Sequence, residues 1–305
     1  MQHFIDLDDW SDDSIRDLLT LASRLKAEQK QGGTAPLLQG KHLALIFEKP
    51  SLRTRVSFEV GMSQLGGTAL RIGPDEIGMG ARESIPDIAR AMSRYVDGIM
   101  ARVFGHEKVV ELAQWATVPV INGLSATHHP CQALADAMTI MEHCGAVQGR
   151  RVVFVGDANN VARSLGQAVI KLGAHFVVAS PPGYGFDEEV LTCLDGDAKA
   201  SGGSLEVLYD PFEAVRGADV IYTDTWVSMG QEAEAAQRIK AFDGYQVNAD
   251  LLAKAGGTPK VMHCLPAHRG QEITDEAADG ANSVIFDQAE NRLHAQKAIL
   301  VRLLG

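Results

Sequence analysis

The segment RVVFVGDANNVARSLGQAVIKLGAHFVVAS (151–180) decides the fold. Residues 151–156 form an apolar run closed by Gly156, residues 160–171 read as a helix, and residues 175–180 form a second apolar run. The Pro181-Pro182-Gly183 turn follows. An apolar run without period-2 alternation is a strand covered on both faces, and two such strands joined through one helix make a parallel βαβ unit. The turn after the first strand is Gly156-Asp157-Ala158-Asn159-Asn160 and lacks GxGxxG. The small residues that let a pyrophosphate approach the backbone are missing, which argues against a nicotinamide dehydrogenase. Asparagine amides offer both donors and acceptors, and suit a ligand that carries an amine and a carboxylate.

The same alternation extends in both directions. Upstream, strands are expected at 43–47, 68–72, 97–103 and 118–124, and helices at 10–29, 52–65, 84–95, 107–116 and 130–143. Ser11 is the expected N-cap of the first helix. Residues 75–83 read as a polar loop. Downstream, strands are expected at 204–210, 218–226 and 260–265, and helices at 187–200, 211–217, 231–240, 247–255 (in part) and 288–304. The fold class is therefore α/β. Two three-layer α/β/α domains with parallel sheets are expected, 1–144 and 145–305. Sites in such sheets lie beyond the strand C-termini.

Composition sets the outer limits. The chain has 305 residues, enough for two domains, and its 46% apolar and 22% charged content is that of an ordinary globular protein. A net charge of −11 makes it a poor nucleic-acid partner, though a local basic pocket for a small anion remains open. The cysteines Cys131, Cys144, Cys193 and Cys264 form no CxxC pair, so a structural zinc site or a disulfide scaffold is not expected. The acidic start MQHFIDLDDWSDDSIRD lacks the apolar core of a signal peptide, and no stretch has the length of a membrane span. A cytoplasmic protein without a membrane partner is the expectation.

Chemistry-bearing residues gather where strands end. In FEKPSLRTR (47–55), Ser51, Arg53, Thr54 and Arg55 open a helix directly after a strand. Free N–H groups, two hydroxyls and two guanidinium forks at one junction point to an anion site, and the alternative is a capping serine with solvated arginines. Arg102 closes another strand, where it fits a surface arginine as well as a site residue. His128-His129-Pro130-Cys131-Gln132 enters a helix, so the histidines could cap the backbone or act in catalysis. DTWVSMG (224–230) supplies an acid and a hydroxyl, or simply a turn. HCLPAHRG (263–270) places Cys264 at a strand end, where a buried inert cysteine is the plainer reading.

SxRTR, HPxQ, DxWxSMG and HCLP occur here in one order and spacing. Together they resemble the ornithine carbamoyltransferases of the aspartate/ornithine transcarbamoylase family, over about Phe4 to Leu304. SxRTR and HPxQ mark the wider family, and SMG with HCLP points to the ornithine branch. The resemblance implies a carbamoyl-phosphate domain, an ornithine domain, an active-site cleft between them and a C-terminal helix packing back on the first domain. It also implies a homo-oligomer, a trimer or a multiple of trimers, with carbamoyl phosphate and L-ornithine as substrates. Ser51, Arg53, Thr54 and Arg55 would hold the phosphate, and Arg102 would bridge phosphate and carbonyl oxygen. His129 would face the carbonyl oxygen with Arg292 beside it, and Gln132 would hold the carbamoyl amide. Asn160, Asp224, Ser228 and Met229 would grip ornithine, while Cys264 and Leu265 line the δ-amine and carbamoyl region. Arg102, His129, Asp224, Cys264 and Arg292 form the expected catalytic set. No cofactor and no metal is required. Other expectations are a transcarbamoylase of putrescine, an N-acylated ornithine or aspartate, a catabolic direction in arginine degradation, and a non-catalytic binder in the same fold. The acidic, hydroxyl-bearing DTWVSMG loop fits an amino-acid head group with a cationic side chain better than it fits aspartate.

Overall fold

The computed structural model describes residues 1–228 and 230–305, and for Glu232 its backbone. The chain divides into two compact units, Met1–Met138 with Glu290–Gly305, and Thr139–Ala289.

The first unit is built on a parallel sheet of β1 (His42–Phe47), β2 (Thr68–Ile72), β3 (Gly98–Arg102) and β4 (Val120–Leu124), in the order β2-β1-β3-β4. The inner strand β3 and the edge strand β4 are both buried along their whole length, Arg102 and Asn122 included. The edge strand β2, against which α2 packs, is half exposed, so the expectation of full cover on both faces fails at this edge. The helices include α1 (Asp12–Lys30), α2 (Leu52–Gln64), α3 (Pro74–Ile77), α4 (Ile85–Met92) and α5 (His106–Trp115). Ser11 caps α1 by accepting from the Ser14 N–H at 3.2 Å, and Ser84 caps α4 in the same way. The helix expected to reach residue 95 stops at Met92, and the 75–83 loop contains the single turn α3.

The second unit carries a parallel sheet in the order β7-β6-β5-β8-β9, formed by β5 (Arg151–Val155), β6 (His175–Ala179), β7 (Ser204–Leu208), β8 (Val220–Thr223) and β9 (Lys260–His263). Between β5 and β6 runs α7 (Asn160–Lys171), with the bounds read from the sequence. The other helices include α8 (Glu188–Ser201), α9 (Pro211–Ala214), α10 (Ala235–Ala241), α11 (Ala249–Lys254) and α12 (Asp275–Asp279). One core cluster lies on one face of β5, β6 and β8, where Val153, Val155, Val177 and Ile221 meet Trp226, Phe242 and Leu251, and Phe154, Phe176 and Tyr222 are buried as well. Two helices cross the division of the chain, α6 (Pro130–Cys144) and α13 (Ile285–Leu304). The last begins three residues before the expected 288.

In each sheet the strand order reverses once, between β1 and β3 and between β5 and β8. A reversal sends the neighbouring connections to opposite faces and opens a crevice at the strand C-termini. Among the described residues, no helix is long and apolar enough to cross a membrane.

Candidate active site: two clusters at the strand ends

In the first unit, the reversal places the exits of β1 and β3 side by side. Ser51 is the N-cap of α2 and accepts from the Thr54 N–H at 3.4 Å. This fixes the first turn of the helix and turns the Thr54 hydroxyl inward. Arg102, the last residue of β3, donates to Thr54 Oγ1 at 3.3 Å. Arg292, on α13, donates to the same oxygen at 3.4 Å and to Gln132 Oε1 at 2.7 Å. Gln132 in turn donates through Nε2 to Asp136 Oδ1 at 2.8 Å, one turn along α6. Thr54, Arg102, His129, Gln132, Asp136 and Arg292 are all buried.

Two guanidiniums converging on one hydroxyl make this region strongly positive. Lys49, at the exit of β1, adds a third cation, and burial and the charge of Arg102 push its pKa down to about 8 against the opposing effect of Glu48. Burial, then Arg292, Arg102 and Lys49, hold His129 well below the usual imidazole range. His129 is therefore a neutral imidazole at neutral pH, able to donate a hydrogen bond without carrying charge. Like charges held together out of water repel, and a small multivalent anion relieves that repulsion. Guanidinium forks, a hydroxyl and an amide around a neutral imidazole suit a phosphorylated group with an adjacent carbonyl.

The sequence-expected residues do not all gather in this cluster. Ser51 and Arg53 are partly buried at the start of α2, with Arg53 giving its carbonyl to Ser57. Arg55 is exposed and pairs with Glu59 at 2.9 Å, lining a surface hollow with Ser51, Leu52 and Arg71. Lys49 and Asp136 were not assigned roles from the sequence. Lys49 stands in the strand-exit group that signals a site, whereas Asp136 reads as one more helical acid until its bond to Gln132 is seen.

In the second unit, Gly156 ends β5 at φ 140°, a backbone state suited to glycine, with Thr223 and Trp226 close by. Asn159 caps α7 by accepting from the N–H groups of Val161 and Ala162, and donates to Asp224 Oδ2 at 2.9 Å. Asn160 is the first residue of the helix. The Cys264 thiol donates to Asp224 Oδ1 at 3.1 Å. Asp224 thus joins the exits of β5, β8 and β9. Ser228 follows, its N–H bonded to Gln231 Oε1 at 3.1 Å, and Met229 lies outside the described residues.

A buried ion pair and a buried imidazole–carboxylate hydrogen bond support this arrangement. Arg238 donates to Asp157 Oδ2 at 3.0 Å and to the Trp226 carbonyl at 3.3 Å, tying the 224–230 loop to the β5 exit. Burial raises the Asp157 carboxyl to about 6, against the opposing pull of Arg238 and with help from Asp224 and Glu234. The fully buried His263 pairs with Glu272 at 3.1 Å and accepts the Leu265 N–H at 2.9 Å. Leu265 is held at φ 59°, a left-handed state that costs a non-glycine residue about 1–2 kcal/mol. Arg238 and Glu272 were missed from the sequence as site residues, and of the Asp157–Asn160 turn only Asn160 was given a specific role. Only Asn159 carries a local signal, a helix cap beside the assigned Asn160.

Comparison with known proteins divides the chain near the same point, though it counts the last helix with the second domain. Residues 2–142 match the family model described as the aspartate/ornithine carbamoyltransferase carbamoyl-P binding domain, and residues 148–303 match the Asp/Orn binding domain of the same family. The chain is 56% identical over 299 residues to a protein named ornithine carbamoyltransferase from Pyrococcus abyssi, covering 98% of this chain and 94% of that one. It is equally identical to the Pyrococcus furiosus protein named ornithine carbamoyltransferase, anabolic, covering 98% of this chain and 95% of that one. The solved structure of ornithine carbamoyltransferase from Pyrococcus furiosus superimposes with a TM-score of 0.97 at 55% identity, covering 100% of this chain and 97% of that one.

Proposed function

The chain belongs to the aspartate/ornithine carbamoyltransferase family, and from that premise we propose that it transfers the carbamoyl group of carbamoyl phosphate to the δ-amine of L-ornithine, giving L-citrulline and phosphate. The observation that carries this reading is the pair of buried guanidiniums, Arg102 and Arg292, meeting on Thr54 beside a neutral His129. It is a receptor for a doubly charged phosphate joined to a polarisable carbonyl.

Ser51, Arg53 and Thr54 hold the phosphate with the N-terminal N–H groups of α2, and Arg55 contributes from the outer edge of this turn. Arg102 spans the phosphate and the carbonyl oxygen. Gln132, itself oriented by Asp136, holds the carbamoyl amide. Asn160, Asp224, Ser228 and Met229 bind the ornithine head group, while Cys264 and Leu265 line the path of the δ-amine. The neutral amine attacks the carbonyl carbon and forms the new C–N bond. Negative charge collects on the carbonyl oxygen of the tetrahedral intermediate, where Arg102, His129, Thr54 and Arg292 receive it, the work of an oxyanion hole. The C–O bond to phosphate then breaks, and the amine proton leaves with the phosphate. A free amine of this kind has a pKa near ~10.4, so desolvation beside guanidiniums helps to deliver it unprotonated. Because the amine is itself the nucleophile, Cys264 orients and does not attack.

The reading includes the direction of arginine biosynthesis, a cytoplasmic location and a homotrimer or a multiple of trimers. Light scattering should therefore give a particle of three or more 32.8 kDa chains. The deciding assay measures product from carbamoyl phosphate with ornithine, putrescine, N-acetylornithine and aspartate in parallel. Ornithine should give the highest kcat/KM by about 100-fold or more, because putrescine and N-acetylornithine leave polar groups built for a free α-amino and α-carboxylate pair unpaired, and aspartate, which has that pair, lacks a side-chain amine to attack. Preference for any of the other three would replace the ornithine assignment.

A further inference from the structure

We infer that Asp6, His106 and His128 form a binding site for one divalent transition-metal ion of the zinc class, which clamps the amino-terminal segment to the strand exits of the first unit. One carboxylate oxygen and one nitrogen from each imidazole lie within 4.8 Å of one another. Two imidazoles and a carboxylate are a common protein ligand set for zinc, with water or another donor in the fourth position at bond lengths of about 2.0–2.2 Å. The two rings stand 4.3 Å apart between centroids and are inclined by 35°.

The three ligands come from separate elements that the fold holds in place. Asp6 follows Phe4, which runs beside β4 through the bonds Phe4 N–H to Val120 O and Asn122 N–H to Phe4 O, both 2.8 Å. His106 opens α5, and His128 lies in the β4–α6 connection, buried. Each ring is also oriented by a hydroxyl: His106 Nδ1 meets Ser125 Oγ at 2.8 Å, and His128 Nδ1 meets Thr127 Oγ1 at 2.8 Å. Ser125 Oγ further accepts from Asn122 Nδ2 at 3.1 Å and donates to the His128 carbonyl at 3.4 Å. All of these bonds are satisfied together when His106 Nδ1–H donates to Ser125. That tautomer presents the Nε2 lone pair, the arrangement in which a second bond fixes the ring of a metal ligand. Asp6 also lines a surface hollow with His3, Asp9 and Trp10.

This cluster shares no residue with the reacting groups, though it adjoins them in sequence: His128 precedes His129, and His106 follows Arg102 by four residues. Bound metal would stiffen both connections. The three ligands are distant in sequence, and for that reason the cysteine and histidine spacing gave no sign of a metal site.

The full-length protein, freed of metal by chelator and dialysis, is titrated with Zn²⁺ in a competition assay and with Co²⁺ by absorption. Asp224, His263 and Cys264 also lie within 4.8 Å of one another, so the two clusters must be told apart. A Co²⁺ ion on Cys264 shows a near-ultraviolet thiolate charge-transfer band, whereas one on Asp6, His106 and His128 shows visible bands without it. The expected result is a thiolate-free Co²⁺ site whose affinity falls by about tenfold or more in both Asp6→Asn and His128→Gln, as loss of a ligand requires. Zn²⁺ should raise the Tm of the parent more than that of either variant, since both keep the Cys264 cluster. If His128→Gln does not fold, Asp6→Asn decides alone. Absence of a thiolate-free site, or equal affinity in the parent and Asp6→Asn, overturns the inference.

Discussion

Replacing Arg102 with methionine separates the catalytic demand on this residue from its effect on folding. Arg102 and Arg292 both donate to Thr54 Oγ1, at 3.3 and 3.4 Å. Their donor nitrogens are then no more than about 7 Å apart, and two unit charges at that distance repel by about 2 kcal/mol at an effective dielectric of ~20. Methionine keeps much of the buried volume and removes the charge. The repulsion relieved should offset the bond lost to Thr54, so the ligand-free protein should unfold at the parent's temperature or above it. Turnover should behave in the opposite way. A donor aimed at a developing oxyanion contributes about 10²–10³ in kcat, and Arg102→Met should fall by that factor. Because Arg102 lowers both Lys49 and His129, their pKa values should rise in the variant. Citrulline formation, thermal unfolding without substrate and ring-proton titration by NMR read the three effects separately. Citrulline turnover within about threefold of the parent would refute the oxyanion role. A Tm drop equivalent to more than about 2 kcal/mol would refute the electrostatic account of the cluster.

Other expectations follow from the second unit and from protonation. Asp157 titrates near 6 in the folded chain, above its ordinary 3.8, so the folded state holds a proton that the unfolded chain gives up between those values. Its contribution is thus complete below about pH 4 and is lost as pH rises through 6, and denaturant titrations from pH 4 to 7 should show a weaker decline in Asp157→Asn than in the parent; an unchanged slope contradicts the shift. Asn159→Ala removes the cap of α7 and the bond to Asp224, and should cost about 1–2 kcal/mol in urea unfolding and raise KM for ornithine; a loss confined to stability would remove Asn159 from the binding site. Cys264→Ser should keep measurable citrulline formation with a raised ornithine KM, because no acyl-enzyme is required; complete loss of turnover in a folded variant would reinstate a nucleophilic cysteine.

What could be read from the sequence was decided by local physics. Several buried strands show as apolar runs, and Ser11 marks a helix start because an N-cap side chain bonds to backbone only three residues away. The short helices α3 and α12, of four and five residues, span too little chain to show a 3.6-residue period. At the site, the 47–55 stretch announced an anion because its hydroxyls and guanidiniums sit together at one strand-to-helix junction. Arg292 carries no such local signal. It lies on the last helix, 238 residues from Thr54, and only the family resemblance pointed to it. Arg238 with Asp157 spans 81 residues, and the bond between Cys264 and Asp224 spans 40. Such pairs are chosen by the topology of the sheet, whose crossovers bring distant strand ends together, and no pattern along the chain encodes them.

The most direct test of carbamoyl transfer is a product balance. Purified protein is supplied with carbamoyl phosphate, with and without L-ornithine, and citrulline and phosphate are measured on the same samples. The account requires the two products to appear in equal amounts, and phosphate release to stay at the spontaneous background when ornithine is omitted. Enzyme-dependent phosphate release without ornithine, or ornithine consumption without an equal yield of citrulline, would contradict direct attack of the amine on the bound carbamoyl group.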